Sequence, residues 1–248
     1  MINRYELLAF LILVLGTLIA SVTESNPACG ASLGPGAKVT LDGDLSCNGP
    51  TYALTLLGSV TLDLNGFVVS CSGTTPVGIR VQGQNNVVNN GTVTGCSSGI
   101  QVAGQHHRVE NTTITSNGTG IEVSAGQSTI KNNTATGNLV GIGDTRGSAG
   151  GNRFTGNTTN SNDQGMIVDD NETASDNTAN GNTYSGIVCG YSNKISRNTT
   201  NNNVGYGIGV VGTGNVLSRN TASGNTSGAF YVDCSTNTSR NNDPEPCP

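Results

Sequence analysis

The 248-residue sequence contains no tryptophan, few other aromatic residues and few charged ones. Aromatic residues make up 4% of the chain and charged residues 11%, whereas Gly, Asn, Thr and Ser dominate. The 11 Lys and Arg residues are spread along the sequence, and the net charge is −5. A chain of this kind shows no basic cluster of the sort that nucleic-acid-binding proteins use. The composition therefore predicts no nucleic-acid partner.

Long hydrophobic runs are also scarce, and the apolar run at residues 7–20 is too short for a comfortable membrane span. It follows Arg4 and is succeeded by polar residues, an arrangement typical of a secretory signal. We assign residues 1–25 to a signal peptide, with an uncleaved N-terminal anchor as the alternative. The expected location is extracellular or periplasmic, with no stable membrane span after signal removal.

A dipeptide of Gly and an apolar residue recurs through the chain. It occurs as Gly78-Ile79, Gly99-Ile100, Gly120-Ile121, Gly141-Ile142, Gly165-Met166, Gly186-Ile187, Gly207-Ile208 and Gly228-Ala229. Successive steps are 21 residues, except for one step of 24. Alternate residues after each Gly are apolar, which predicts a short strand with one buried face. Because the repeats are too short for a crossover helix, these strands must stack in parallel as a solenoid.

Asparagine forms a second periodic pattern. One set precedes Thr at Asn133, Asn157, Asn177, Asn198 and Asn220, with Asn90 and Asn111 as its expected extension, and a looser set comprises Asn117, Asn138, Asn182 and Asn225. Asn tolerates the left-handed backbone of sharp turns, and stacked amides can hydrogen-bond from one coil to the next. The two patterns together predict a parallel β-helix with three short strands per coil.

Several segments resemble secreted right-handed β-helix proteins of the pectin-lyase-like superfamily, with repeats like those of periplasmic NosD-type proteins. These are CGASLGPGAKVTLDGDLSC, SVTLDLNGFVVSC, NNVVNNGTVTGCSSGIQV and NTTITSNGTGIEV, and the resemblance covers residues 29–234. The expected fold is all-β, a single-stranded right-handed parallel β-helix (solenoid) of about eight to nine coils of about 21 residues. We expect an N-terminal cap with a disulfide at 26–60, the β-helix at 61–233 and a C-terminal tail or cap at 234–248. This fold hosts lyases, hydrolases, adhesins and proteins without known chemistry.

Cysteine placement indicates an oxidising compartment. Aligning Gly66 with Gly91 places Cys71 opposite Cys96 on the next coil, within disulfide reach. The other expected pairs close the two ends of the chain: Cys29 with Cys47, and Cys234 with Cys247. Cys189 is left over in the Val ladder, where we expect a buried free thiol, an exposed reactive thiol being the alternative.

The two ends of a solenoid expose strand edges that invite further stacking. The N-terminal segment is expected to cover one end, and prolines at 244, 246 and 248 disfavour strand addition at the other. A monomer is therefore expected, with end-to-end assembly as the alternative.

Acidic residues cluster around the 24-residue step, at Asp144, Asp169 and Asp170 among others. The resemblance implies that such carboxylates hold calcium or act as a general acid and base. It also implies a basic proton acceptor for a lyase, and Arg80 is the basic residue on the outward side of the Gly-Ile strands. A surface ion pair explains Asp170 equally well. No cofactor other than calcium is suggested.

Nine N-x-S/T sequons occur, at Asn90, Asn111, Asn117, Asn132, Asn157, Asn171, Asn198, Asn225 and Asn237. Because side chains stacked in a ladder cannot receive a glycan, Asn171 and Asn237 are the expected glycosylation sites. His106 and His107 are interpreted as surface histidines, since no His or Cys is expected beside them. The sequence therefore predicts no metal site there.

Two functions remain open. In the favoured one, the protein is a component of the cell surface or extracellular matrix, a structural or adhesive rod that binds carbohydrate, such as a polysaccharide or surface glycans. In the other, it is a polysaccharide lyase or glycoside hydrolase acting on an acidic, uronate-containing polymer. The even 21-residue step leaves no long insertion to wall a substrate cleft, which favours the non-enzymatic interpretation.

Overall fold

A computed structural model of the chain describes residues 26–73, 76–144 and 150–247. The signal peptide predicted at 1–25 lies outside the described residues. The strands are β1 (Ala31–Leu33), β2 (Lys38–Thr40), β3 (Leu45–Asn48), β4 (Tyr52–Leu56), β5 (Thr61–Asp63), β6 (Val68–Ser72), β7 (Val77–Val81), β8 (Val87–Thr94), β9 (Ser98–Gln105), β10 (Arg108–Thr115), β11 (Thr119–Gly126), β12 (Thr129–Lys131), β13 (Thr134–Thr136), β14 (Val140–Asp144), β15 (Arg153–Thr155), β16 (Thr158–Asn160), β17 (Gln164–Val168), β18 (Thr173–Ser175), β19 (Ile187–Cys189), β20 (Lys194–Ser196), β21 (Tyr206–Val210), β22 (Val216–Ser218), β23 (Gly228–Tyr231) and β24 (Thr238–Arg240). Among these residues there is no helix long and apolar enough to cross a bilayer.

The strands form two parallel sheets that run the length of the solenoid. Sheet A has ten strands in the order β1-β4-β7-β9-β11-β14-β17-β19-β21-β23, which contains the Gly-Ile strands. Sheet B follows the path β2-β5-β8-β10-β12-β15-β18-β20-β22-β24, and a third, shorter ladder joins β3, β6, β8, β10, β13 and β16. The right-handed parallel β-helix is therefore confirmed, with about ten coils of about 21 residues.

The recurring Gly is required by the close approach of neighbouring coils. A Cβ built on Gly120 would lie 2.4 Å from the carbonyl oxygen of Gly141, and one on Gly141 would lie 2.6 Å from that of Gly165. Such separations lie below ordinary van der Waals contact. Each coil therefore turns into its sheet A strand at a residue without a side chain.

The interior is a continuous stack of apolar side chains. Ile100, Ile121 and Ile142 occupy successive register positions and are fully buried, as are Val102 and Val123 beside them. Burying each such side chain contributes about 1.5–3 kcal/mol relative to leaving it exposed. Since no coil can bury its own ladder, this stacking supplies the cooperativity of the fold.

Three ladders of polar side chains fill the turns between strands. The first runs Asn117, Asn138, Asn162, Asn182, Asn203, Asn225; the second runs Thr112, Asn133, Asn157, Asn177, Asn198, Asn220, Asn242; the third contains Asn86, His107, Ser128, Asn152, Glu172, Asn193, Asn215 and Asn237. In the Asn ladders, the side-chain oxygen accepts the backbone N–H of the residue one coil earlier. Buried backbone donors at the turns are thus satisfied by side chains.

The sequence pattern misplaced two members of these ladders. Asn90 and Asn111 were expected in the second ladder, but the register sets Thr112 opposite Gly91, one position along. Asn90 and Asn111 are exposed and adopt left-handed backbone angles, with φ of 59° and 55°. They form the outer corner beside the ladder, where Asn is favoured for its backbone conformation.

The last coil is one residue longer than the repeat indicated. Ile208 pairs with Phe230 and Gly209 with Tyr231, so Phe230 continues the Ile ladder in place of Ala229. Phe230 packs against the core, whereas Tyr231 points outward and is 55% exposed. The extra residue agrees with the 22-residue steps Asn198–Asn220 and Asn220–Asn242 in the second ladder.

The N-terminal segment contains strands in register with the rest. β1 pairs with β4, β2 with β5 and β3 with β6, so residues 31–48 form a first coil of the stack. The structure contains all three expected disulfides: Cys29–Cys47, Cys71–Cys96 and Cys234–Cys247. Cys189 is buried and free, and burial raises the pKa of its thiol to about 12, which leaves it unreactive.

Candidate functional site

Two carboxyl groups interrupt the regular interior near the 24-residue step. Asp144 takes a position held by Val in neighbouring coils, and Glu172 takes a position held by Asn in the third ladder. Asp144 is 4% exposed and Glu172 is 2% exposed. The amide nitrogen of Asn152 donates to Ala125 O at 2.7 Å and lies within hydrogen-bond distance, 3.2 Å, of both Asp144 Oδ2 and Glu172 Oε1. One buried amide therefore joins two buried carboxyls.

Burial and, as the second cause, the negative charge of Glu172 together raise the pKa of Asp144 to about 8. Asp144 Oδ1 has no hydrogen-bond partner among the described residues. Burial raises the pKa because a neutral acid is far less costly to bury than a charged one. The raised pKa therefore favours the protonated form of Asp144 at neutral pH.

This pair does not fit the calcium ion that the resemblance allows. Asn152 turns its amide nitrogen, a donor, toward both carboxyls, while its oxygen accepts the backbone N–H of Ser128 at 2.8 Å. Calcium needs six to eight oxygen ligands. The described residues contain no group of three His, Cys, Asp or Glu side chains arranged for a metal.

A surface depression of about 390 Å³ lies over Asp144 on the outer side of sheet A. Its lining consists of Asp144, Ile167, Val168, Asp169, Val188, Gly190 and Val211. A second depression of about 360 Å³ lies at the other edge of the sheet, with Leu139, Asp163 and Thr183 in its wall. Both depressions combine apolar side chains with a carboxylate.

Tyrosines that the sequence pattern did not single out lie in the same half of sheet A as these depressions. Four of the six tyrosines lie on the strands of the C-terminal half of sheet A or on their flanking turns: Tyr184, Tyr191, Tyr206 and Tyr231. Tyr184 is 64% exposed and Tyr191 52% exposed, and the rings of Tyr206 and Tyr231 are 5.3 Å apart. We call these four residues, with Ile167, Val188 and Val211, the aromatic face. Low aromatic content concealed it, because only the coil register brings the tyrosines together.

Of the other sequence-predicted site residues, Asp169 lies beside Asp144, whereas Asp170 and Arg80 have other contacts. Asp170 Oδ1 accepts the backbone N–H of Tyr191 at 2.8 Å, a turn contact, and Asp169 lines the depression with Asp144. Arg80 lies three coils before Asp144, about 14 Å away along the axis. Its guanidinium stacks 4.7 Å over the ring of Tyr52 and donates to the Tyr52 hydroxyl. Arg80 therefore does not face the carboxyls.

Two expectations about polar residues need correction. Asn237 was expected off the ladders, but it ends the third ladder, and its amide nitrogen donates to Gly212 O at 3.1 Å. Asn171 is exposed, as a glycan acceptor must be. His107 was expected on the surface but is fully buried, and burial lowers its pKa, so that neutral Nδ1 accepts the N–H of Asn86. His106 is exposed.

A family model described as a right-handed beta helix region matches residues 77–226. No curated protein sequence is significantly similar to the chain. Among solved structures, pectate lyase Pel9A superposes with a TM-score of 0.59 at 17% identity, over 87% of this chain and 74% of the lyase. The A-module of mannuronan C-5 epimerase AlgE4 from Azotobacter vinelandii gives 0.59 at 13%, over 86% and 71%.

The tailspike protein of Dettilon is similar to the same degree, with a TM-score of 0.61 at 14% identity, over 85% of this chain and 60% of the tailspike. At such low identity these likenesses concern the fold. None of them transfers a catalytic residue to this chain.

Proposed function

The chain belongs to the right-handed β-helix family, and we propose that it is an extracellular member that binds an uncharged polysaccharide along the aromatic face. The observation that carries the proposal is that exposed tyrosines lie in the same half of sheet A as two depressions lined by carboxylates and apolar side chains. Sugar rings present apolar C–H faces and a rim of hydroxyls. Both parts find partners on such a surface.

The apolar part of the surface is too exposed to serve only the fold. Val211 is 68% exposed, Tyr184 64% and Tyr231 55%. Exposed apolar groups that are contiguous rather than scattered mark interaction sites. Tyrosine suits this role, because it offers a rigid apolar ring and a polar tip at small entropic cost.

Charge favours an uncharged ligand over a polyuronate. Asp163 and Asp169 line the depressions, and Asp170 and Asp233 lie at the ends of the same strands. Arg80 is the one cation on the described strands of sheet A, four coils from Ile167. An acidic polymer would meet repulsion here, whereas hydroxyl groups can donate to the carboxylates.

The comparisons support a glycan in general terms. A pectate lyase, a mannuronan epimerase and tailspike proteins share this fold, and by their names the first two act on polysaccharides. Three disulfides agree with an extracellular location. These similarities support a glycan as the class of partner.

The proposal is tested by affinity electrophoresis of the mature protein in gels containing neutral polysaccharides, such as cellulose derivatives, xylan, glucans and mannans. Tyr184→Ala/Tyr231→Ala should lose the retardation seen with at least one neutral polymer, because it removes two exposed rings. Tyr52→Ala is the matched control, because the Tyr52 ring lies under Arg80, outside the aromatic face. Retention of the double variant equal to wild type, or no retardation of wild type by any neutral polymer, would refute the proposal.

One observation favours the enzymatic alternative. Asp144 lines the larger depression beside a second acid, Asp169, and its pKa, raised to about 8, favours the protonated form at neutral pH. A general acid and a carboxylate are the groups that glycoside hydrolysis requires. Mass spectrometry of oligosaccharides released from neutral and uronate polymers tests this. Products that disappear in Asp144→Asn or Asp169→Asn would establish an enzyme, and no release by wild type would exclude hydrolysis of those polymers.

A further inference from the structure

The fold places on one side of the solenoid most of the basic residues that are dispersed in the sequence. Eight of the nine Lys and Arg residues within the described ranges lie on the outer side of sheet B or on the corner that follows it, and only Arg80 lies on sheet A. Seven of the eight lie on the last seven coils: Arg108, Lys131, Arg153, Lys194, Arg197, Arg219 and Arg240. We call these seven residues the basic face. The expectation that basic residues are unclustered is thus wrong in three dimensions.

Register places the basic side chains close to one another along the axis. Thr129 pairs with Arg153, so Lys131 and Arg153 lie on successive coils, and Ser218 pairs with Arg240, which follows Arg219 by one coil. Five coil steps separate Lys131 from Arg240, about 24 Å at the spacing of neighbouring strands. Every coil in this row except that of Asp176 supplies a cation.

Most of these cations have no counter-charge in the structure. Arg108 pairs with Glu110 and Arg197 with Asp176, both at 2.7 Å. Lys131, Arg153, Lys194, Arg219 and Arg240 make no ion pair with any described residue. The carboxylate of Glu245, near the last coil, accepts hydrogen bonds from the Ser239 hydroxyl and from the backbone N–H of Asn242.

The segregation occurs against the overall charge of the chain, which is −5. The carboxylates of sheet A leave the aromatic face acidic, while five unpaired cations remain on sheet B. Surfaces of one sign attract ligands of the opposite sign and repel those of the same sign. The two sheets therefore present two chemically different surfaces.

The corner conformation of two arginines adds an independent observation. Arg197 and Arg219 adopt left-handed backbone angles, with φ of 54° and 57°, at a corner where earlier coils carry Asn90, Asn111 and Asn132. Left-handed geometry is unfavourable for a long side chain and suits Asn or Gly. Asp176 accounts for Arg197 through their ion pair, whereas Arg219 forms no ion pair with a described residue.

We propose that the basic face is a second binding surface, which takes a linear glycan carrying carboxylate or sulfate groups. Each exposed ion pair is weak, so a regularly charged polymer that meets several cations at once is the ligand this row fits. Arg contributes a planar fork that matches carboxylate and sulfate-like oxygens. A single-stranded nucleic acid fits less well, because no described aromatic residue lies on the basic face for bases to stack on.

This inference does not depend on the proposed function, since it concerns a different sheet and a ligand of opposite character. The test uses the mature protein and two immobilised acidic glycans, hyaluronate for carboxylate and chondroitin sulfate for sulfate. The test variant is Lys131→Gln/Arg153→Gln/Lys194→Gln/Arg219→Gln, which removes four exposed cations that form no ion pair with a described residue. The control, Gln84→Glu/Gln105→Glu/Thr213→Glu/Thr226→Glu, lowers the net charge equally at exposed residues at or beside the ends of sheet A strands.

We expect wild type to bind at least one acidic glycan at low salt and to be released as salt screens the charges. The test variant should bind about tenfold more weakly or worse, because four weak contacts are lost together. The control variant should bind the glycans as tightly as wild type does. Both variants should unfold at the same midpoint as wild type. Equal losses in the test and control variants would overturn the proposal, as would wild-type binding that is unaffected by the test substitutions. Tighter binding of a single-stranded oligonucleotide than of either glycan would also overturn it.

Discussion

The side chain of Asn177 and its own backbone N–H both donate to Oδ1 of Asn198 on the next coil, at 3.0 and 2.9 Å. The same Asn177 amide nitrogen also donates to Phe154 O at 2.9 Å. The buried amide nitrogen of Asn177 thus donates hydrogen bonds both to a backbone carbonyl and to the side-chain oxygen of the next Asn in the ladder. Repetition of this contact along the ladder fixes the register between successive coils.

Replacement of Asn177 by Ala should destabilise the protein by about 2–3 kcal/mol, because it leaves buried donors and acceptors without partners. The measurement is the urea midpoint of the purified variant. Asn132→Gly is the matched control, since Asn132 is exposed and already has a left-handed φ of 54°, which Gly adopts without strain. Equal midpoints for the two variants would show that the ladder contributes no more than a surface turn.

The raised pKa of Asp144 predicts a pH dependence of stability. Between roughly pH 4 and 8 the unfolded chain has lost a proton that folded Asp144, with its pKa near 8, retains. The folded state then binds more protons, so stability falls as pH rises through this range. Asp144→Asn removes the titrating group and should flatten this part of the profile, with the largest gain in melting temperature near pH 8. A variant profile parallel to wild type from pH 5 to 8 would contradict the assignment.

The repeats made most of the fold predictable. Gly-Ile pairs at 21-residue steps determine where each coil enters sheet A, because a side chain there would strike the next coil. The disulfide Cys71–Cys96 followed from coil alignment, although the alignment itself was one residue off: Val68 pairs with Thr92, which sets Phe67 opposite Gly91. Adjacent residues on neighbouring coils remain within disulfide reach, so the error did not matter.

Surface properties were less predictable, because they depend on residues far apart in sequence. Lys131 and Arg153 are 22 residues apart in the chain and become neighbours only through the register of β12 and β15. The same holds for Tyr206 and Tyr231. An error of one residue in the predicted alignment also exchanges buried and exposed positions, because successive side chains of a strand point to opposite sides. Asn111 and Thr112 are an example.

The closeness of coils at the Gly positions can be tested directly. Gly141→Ala would place a Cβ 2.6 Å from the backbone oxygen of Gly165 and should destabilise the fold by about 3 kcal/mol or more. Gly209→Ala is the control on the same sheet, because its Cβ would meet only a methyl of Val188 at 3.8 Å. Thermal melts of both variants give the comparison. A similar melting temperature for the two would mean that the coils can separate at little cost.

The nine sequons divide into two groups that should behave differently in a host that glycosylates secreted proteins. Asn90, Asn111, Asn132 and Asn171 are exposed, whereas Asn117, Asn157, Asn198, Asn225 and Asn237 belong to the ladders. In a ladder, the side-chain nitrogen that would carry the glycan already donates a hydrogen bond. In Asn157, for example, Nδ2 donates to Ile130 O at 2.8 Å. A glycan on such a nitrogen removes the bond and inserts bulk between coils.

Glycopeptide mass spectrometry of folded, secreted protein from such a host should therefore find glycans on the exposed group alone. Asn90, Asn111 and Asn132 occupy one corner of three successive coils, about 4.8 Å apart, so one glycan should hinder its neighbours. Partial occupancy of that row, with Asn171 modified independently, is the expected pattern. Substantial occupancy at Asn157 or Asn198 in folded material would contradict the buried ladder. Chains glycosylated there should instead fail to fold, because each ladder hydrogen bond supports the register of the next coil.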